Sequence, residues 1–312
     1  MSTPYQQKNQ QGIALVQVLL ITAILTILAL YLTQTAKDQV KMAQWANDKA
    51  QDLVELHSAE SQLLFSLITE INSPFPNTLA QTQSEQIQGS HIAQQWNFFD
   101  QPFMFNQQVE ISIQDQAGLL NIHFPDQTRL KAFFISQGAS SPQANVIVDS
   151  LLDWQDLDNV PRENGVEVYR DNNVENANGI RNGAVPNKHD FSTVKGLSPE
   201  LYQALLLNST IHRRGPYSPV NSPAALLYAI SSDDIAQQVI VLRDAGQLNK
   251  NKFTELTGIT EDDNVYFYTS NALSISLTSK IGESRAHKKI VVQLMPYATA
   301  NQQPINILSN RG

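Results

Sequence analysis

Between positions 153 and 175 the sequence crowds carboxylates into a short stretch: Asp156, Asp158, Glu163, Glu167, Asp171 and Glu175, with Asn159, Asn164, Asn172 and Asn173 among them. Oxygen donors at that density suit a hard divalent cation, Ca2+ in particular, which takes about six to eight oxygen ligands in a flexible shell. Gly165 and the polar residues let the backbone wrap, so that carbonyl oxygens can join the carboxylates. Asp156 and Asp158 form a D-x-D pair like the opening of an EF-hand loop, but the glycine and closing glutamate do not follow at that loop's spacing. Composition alone does not separate a cation site from a solvated acidic loop. Asp153 is read as closing the helix that precedes the loop.

No catalytic set accompanies these carboxylates. The histidines at 57, 91, 123, 189, 212 and 287 are scattered, with no two at metal-ligand spacing, and no serine stands in a G-x-S-x-G context. The absence of cysteine excludes disulfides, thiolate metal sites and cysteine catalysis. The expectation is a protein that is not an enzyme. A net charge of −8 and a pI near 5.2 disfavour nucleic acid as a partner. The aromatic-rich stretch from Trp96 to Phe105 reads as core or subunit contact rather than a stacking site.

The element that must position everything else is at the start. From Ile13 to Ala36 no side chain is charged, which is long enough for a helix to cross a bilayer core of about 30 Å. The run exceeds the apolar core of a secretory signal peptide, about 7–15 residues, and Gln34-Thr35-Ala36 is a poor cleavage site behind it. A plain single-pass anchor stays open on this stretch alone. Lysines and aspartates on both sides leave orientation undecided by charge. Helical periodicity then continues through Ala43, Ala46, Ala50, Leu53, Leu56, Leu63, Leu67 and Ile71 until Pro74 and Pro76 stop it. Residues 77–90 read as a surface loop.

Val109, Ile111 and Ile113 alternate with polar residues, 115–118 reads as a turn, and Leu120, Ile122 and Phe124 alternate again, predicting a hairpin. Helical patterns follow at 127–137, 141–154, 190–207, 223–230, 233–245 and 253–256. Strand patterns return at 265–268, 273–277 and 290–294, with a turn at 281–284. Strands, a helical block and strands again predict an α domain inserted into a small α+β domain.

A polar leader, Gly12 and an unbroken apolar helix together resemble the N-terminus of type IV pilins and type II secretion pseudopilins. In those families a prepilin peptidase cuts after the glycine, so the resemblance implies cleavage after Gly12 and N-methylation of Ile13. Most members carry glutamate at the fifth mature position; here it is Gln17. That departure is typical of the K subunit. Further on, Asp153-Trp154-Gln155-Asp156-Leu157-Asp158 with Pro161-Arg162, Gly165, Glu167 and Tyr169 is similar to the D-W-x-D-x-D…P-R…G-x-E…Y pattern of the protein K family. Val194-Lys195-Gly196-Leu197-Ser198-Pro199-Glu200-Leu201-Tyr202 and Val220-Asn221-Ser222-Pro223-Ala224 are similar to two later stretches of it, the second lacking two residues.

The resemblance implies a pilin-like α+β fold, a long N-terminal helix packed on a small antiparallel sheet, with a large inserted α-helical domain containing helix-hairpin-helix-like elements. The expected division is a leader at 1–12, a transmembrane helix at 13–36, stalk helix and first sheet portion at 37–125, the inserted domain at 126–260, closing strands at 261–298 and a flexible tail at 299–312. Implied too are Ca2+ bound by Asp156, Asp158, Glu163, Glu167 and Asp171, and Asn182 where the family has a recurrent asparagine. The protein is expected in the bacterial inner membrane, single-pass, with its C-terminal domain in the periplasm. It would act as a minor pseudopilin at the pseudopilus tip, initiating or capping assembly for export of folded proteins. Implied partners are the I and J minor pseudopilins, the major pseudopilin, the prepilin peptidase and the inner-membrane secretion platform, with no nucleic acid. A type IV pilus minor pilin and a membrane-anchored helix-hairpin-helix DNA-binding protein are the alternatives. Against the latter, the second hairpin reads Ile230-Ser231-Ser232-Asp233-Asp234, with carboxylates where a phosphate would go.

Overall fold

The computed structural model describes residues 11–75, 92, 93, 95–167, 182–212 and 215–312. Most of the expected leader, the expected loop at 77–90, and Tyr169, Asp171 and Glu175 lie outside the described residues. Helix α1 runs Gln11–Thr69, 59 residues, roughly 90 Å at the α-helical rise. It ends short of the prolines. Its first half exposes Ile13, Leu15, Leu19, Leu20, Ile24 and Leu28, and the helix is long and apolar enough to cross a membrane. Its second half buries Leu56, Ala59, Leu63 and Leu67, at steps of three and four, against a sheet.

That sheet has five strands: β1 (Phe103–Met104), β2 (Val109–Asp115), β5 (Ala272–Ile281), β6 (Ser284–Leu294) and β7 (Ile305–Arg311), in the order β1-β2-β5-β6-β7 and antiparallel throughout. Alternation decides which face is apolar. Val109, Ile111 and Ile113 of β2, Leu273, Ile275 and Leu277 of β5, and Ile290, Val292 and Leu294 of β6 all enter the core under α1. Gly282 opens the β5–β6 turn at φ +56, a backbone that L side chains rarely adopt, and a Cβ there would meet Asp48 Oδ2 of α1 at 2.6 Å. Two polar contacts fix the helix register on the sheet. Lys288 Nζ donates to both oxygens of Glu60 at 2.6 and 2.8 Å, and Ser279 Oγ donates to the buried Asp52 at 2.8 Å.

β2 and β5 are neighbours in the sheet, yet residues 116–271 lie between them in sequence, and these carry the helical block. It comprises β3 (Leu120–Asn121), α2 (Gln127–Ser136), α3 (Ser141–Asp153), α4 (Pro199–Asn208), β4 (Ser209–Thr210), α5 (Ala224–Ile230), α6 (Asp233–Asp244) and α7 (Lys250–Thr257). Local signals set the starts: Asp126, Ser140, Ser198 and Asn249 each accept a backbone N–H from three residues on. One core gathers Leu130, Phe133, Phe134, Ile147, Leu151 and Phe191; a second gathers Leu227, Val239, Phe253 and Phe267. In the first helical hairpin Gly196, at φ +87, lets the chain turn onto α3 beside Val146 and Ile147 before α4.

Three expectations are corrected. Leu120 to Phe124 does not fold back on β2: β3 is two residues long and pairs in parallel with β4, while Leu120 and Ile122 enter the block's core and Phe124 is exposed. The stretch 265–268 is not a strand; Val265 makes a single bridge to Tyr217. The segment expected to be a flexible tail contains β7, paired with β6 through a bulge between Val291 and Val292.

The block is locked to the sheet at one buried polar joint. Asp115, fully buried at the end of β2, accepts from Ala117 N at 2.9 Å, Ser270 N at 2.9 Å, Asn221 Nδ2 at 2.8 Å and the Ser270 hydroxyl. Gln114 Nε2 donates to the Asn221 carbonyl at 2.9 Å, and Ser222 Oγ donates to the Gly118 carbonyl at 2.9 Å. Gly118 passes so close that a Cβ would lie 2.3 Å from the Asn221 oxygen. Burial raises the Asp115 carboxyl above its usual range, against hydrogen bonds that favour the charged form.

Candidate metal centre

Helix α3 delivers Asp153 at its last turn, and the chain then curls back over it. Asp153 is fully buried and Glu167 only 9 % exposed. Oxygens of Asp153, Asp156 and Glu167 all lie within 4.8 Å of one another. Gly165 makes the return possible: a Cβ there would sit 1.9 Å from Asp153 Oδ2. Arg162 reaches between two of the acids, its Nη1 donating to Asp153 Oδ1 at 2.6 Å and to Asp156 Oδ2, while its backbone N–H also faces Asp153. Asn164 fastens the loop to α3, donating from N and Nδ2 to Asp149 Oδ2.

One guanidinium does not satisfy the three acids. Both Glu167 oxygens and Asp156 Oδ1 are buried with no hydrogen-bond partner among the described residues, as is Oδ1 of Asn182. Burial, then the charges of Asp153, Asp156 and Asp158, push the Glu167 carboxyl above its ordinary value, with Arg162 opposing. Buried carboxylate oxygens without partners are costly, and convergent hard oxygens without donors are what a Ca2+ shell requires. The residues present therefore fit such an ion.

The sequence candidates separate accordingly. Asp156 and Glu167 converge. Asp158 turns an oxygen to its own loop, accepting from Val160 N at 2.8 Å, and acts on Glu167 through charge. Asn182 sits at φ +48 and donates to the Asp158 carbonyl and Asn159 Oδ1, while its own carbonyl oxygen has no partner among the described residues. Glu163 is exposed and outside the cluster; Asp171 is outside the described residues. The reading of Asp153 as only the end of a helix is incomplete. It is the helix end and the deepest acid of the cluster, and the signal available was Gly165, whose lack of a side chain admits it. Arg162 stands in the P-R motif and Asp115 in a turn, but neither position discloses its contacts in the sequence.

A long, half-exposed helix lying on an antiparallel sheet, with a helical block inserted between neighbouring strands, defines a pilin-like class of protein. Residues 113–210, from the end of β2 through the acidic loop and α4, match the family model described as Type II secretion system (T2SS), protein K. The chain is 28 % identical over 211 residues to "Putative type II secretion system protein K" of Escherichia coli (strain K12), covering 66 % of this chain and 61 % of that protein. It thus spans less than two thirds of that relative's length. Its fold matches a chain of "The Crystal Structure of the GspK-GspI-GspJ complex from enterotoxigenic Escherichia coli Type 2 Secretion System" with a TM-score of 0.54 at 15 % identity, over 86 % of this chain and 98 % of the other. The family resemblance carried by the motifs is borne out.

Proposed function

We propose that this protein is a minor pseudopilin of a type II secretion system, held in the inner membrane by α1 with its folded part in the periplasm, and placed at the pseudopilus tip. The observation that carries this reading is the helical block standing between adjacent strands of a pilin-like frame, its first part, to residue 210, matching protein K. Filament subunits stack through their N-terminal helices. A subunit bearing a bulky block above its sheet leaves little room for another on top, and a first subunit has no earlier ammonium to capture. Gln17, unable to supply a carboxylate, suits that position.

The cation site serves the same role by holding the acidic loop against α3. Ca2+ would be taken by Asp153, Asp156 and Glu167, with Asn182 and Asp158 as further oxygen sources. Partners of the I and J minor pseudopilin type are supported by the solved complex whose fold this chain shares. A type IV pilus role has no comparable support, and duplex DNA is disfavoured by the chain's net charge of −8.

Co-expression tests the reading. The full chain, with I- and J-type minor pseudopilins of the same system, is expected to elute from size exclusion as one ternary complex. A chain that ignores both, and instead cross-links along the filament body with the major pseudopilin, contradicts a place at the tip.

A further inference from the structure

The sheet face turned away from α1 carries a row of cations with no ion-pair partner among the described residues. Ile290, Val292 and Leu294 of β6 enter the core, so the two-residue alternation puts Arg285, His287 and Lys289 on the opposite face. All three are exposed. Across the strands, Lys280 of β5 is the direct partner of Arg285, and Arg311 of β7 is the direct partner of Lys289. Like charges directly opposite on antiparallel strands destabilise the pairing. It happens twice here, in a chain with 29 acidic and 21 basic residues. None of Lys280, Arg285, Lys289 and Arg311 has a carboxylate in ion-pair range among the described residues. Glu283, exposed in the β5–β6 turn two residues from Arg285, makes no ion pair with these cations among the described residues; Glu110 and Asp100, the latter accepting from Ser112, belong to the β2 side, two strands from Lys289.

The positive row continues onto the helical block. Lys188 Nζ donates to the carbonyls of Leu206 and Ser209, at 2.6 and 2.8 Å, where α4 ends. Burial, then the nearby charges of Lys289 and Arg311, push its ammonium down to about 8. The half-buried His212 is pushed down by burial and then by Lys188, His123 and Arg311.

We propose that the outer face of β5, β6 and β7, continued by Lys188, is a docking surface for an acidic, extended segment of a protein partner. Spacing argues for the occupant as well as charge does. Arg285, His287 and Lys289 recur every second residue, about 7 Å apart, the interval at which an extended chain with alternating acidic residues presents its carboxylates. Each cross-strand cation pair brackets one carboxylate. A lipid surface fits poorly, because β6 runs along α1: Gly282 lies beside Asp48, Lys49 donates to the Arg285 carbonyl, and Lys288 pairs with Glu60. The face therefore stands along the helix axis, whereas a membrane plane lies across it.

The test is fluorescence anisotropy with the full chain in detergent micelles and a labelled decapeptide alternating glutamate and threonine. Wild type is expected to bind it, less tightly as salt rises, and the double variant Lys289→Glu, Arg311→Glu is expected to lose at least tenfold in affinity. Lys289→Glu alone should raise the melting temperature, since it turns an opposed like pair into an opposite pair, while weakening the peptide. Absence of binding by wild type, or equal binding by the double variant, overturns the proposal. So does shielding of Lys289 from an amine-modifying reagent by anionic phosphatidylglycerol nanodiscs in the absence of peptide, which would make the face a lipid surface.

Discussion

Chelating calcium from the full chain in detergent is expected to lower its melting temperature by several degrees, and restoring calcium to return it. A ligand present at about 100 times its dissociation constant contributes about 2.7 kcal/mol to the folded state. For a folded part of this size that is roughly 5–10 °C. The sharper form uses Glu167→Gln, because neither Glu167 oxygen has a partner among the described residues to lose. The variant removes a buried charge that Asp153, Asp156 and Asp158 all oppose. It should therefore melt higher than wild type in chelator and lower than wild type in calcium, so that the order of the two proteins inverts. Magnesium should restore little, since it demands a tighter octahedral shell. A wild-type melt that ignores chelator would leave the cluster as an acid group neutralised by Arg162 alone.

The second large effect is at the joint between block and sheet. Asp115→Ala removes the acceptor of four donors from Ala117, Ser270 and Asn221. Each donor left buried and unpartnered costs about 1–3 kcal/mol, partly relieved by rearrangement, so a total loss of at least about 3 kcal/mol is expected in urea titration. Because the carboxylate ties β2 to residues on either side of the block, the variant should also split a single unfolding transition into two. Asp115→Asn keeps the shape but turns a donor toward donors, and should fall between. A loss under about 1 kcal/mol, with one transition retained, would mean the joint is held by packing alone.

Much of this architecture is legible in the residues because the signals are local. The apolar run of α1, the three-and-four spacing of Leu56, Leu63 and Leu67, the alternation of β2, β5 and β6, and the Asp, Ser and Asn caps all act over a few residues. What the sequence conceals is pairing at a distance. Leu120, Ile122 and Phe124 alternate as a strand does, yet the backbone at 120–122 pairs with the segment at 209–210, Leu120 and Ile122 belong to another core, and Phe124 is exposed. β7 hides for the opposite reason: its bulge spoils the alternation of Ile305, Ile307 and Leu308, and its asparagines read as mobile chain. In the candidate metal centre the loop and two of its acids, Asp156 and Glu167, are readable from composition and motif. Asp153 is not, because its part depends on a fold-back that Gly165 permits and Arg162 bridges. The joint of Asp115 with Asn221 is equally opaque: Val220-Asn221-Ser222 is recognisable as a motif, but its partner lies 106 residues away.

The most direct measurement is the mass and N-terminal sequence of the protein recovered from membranes of cells that carry a prepilin peptidase. A minor pseudopilin is predicted to begin at Ile13, with one methyl group on its amine, and a bulky residue in place of Gly12 should leave the uncut chain in the same fraction. Recovery of a protein that begins near Lys37, having shed the apolar half of α1, would contradict the account.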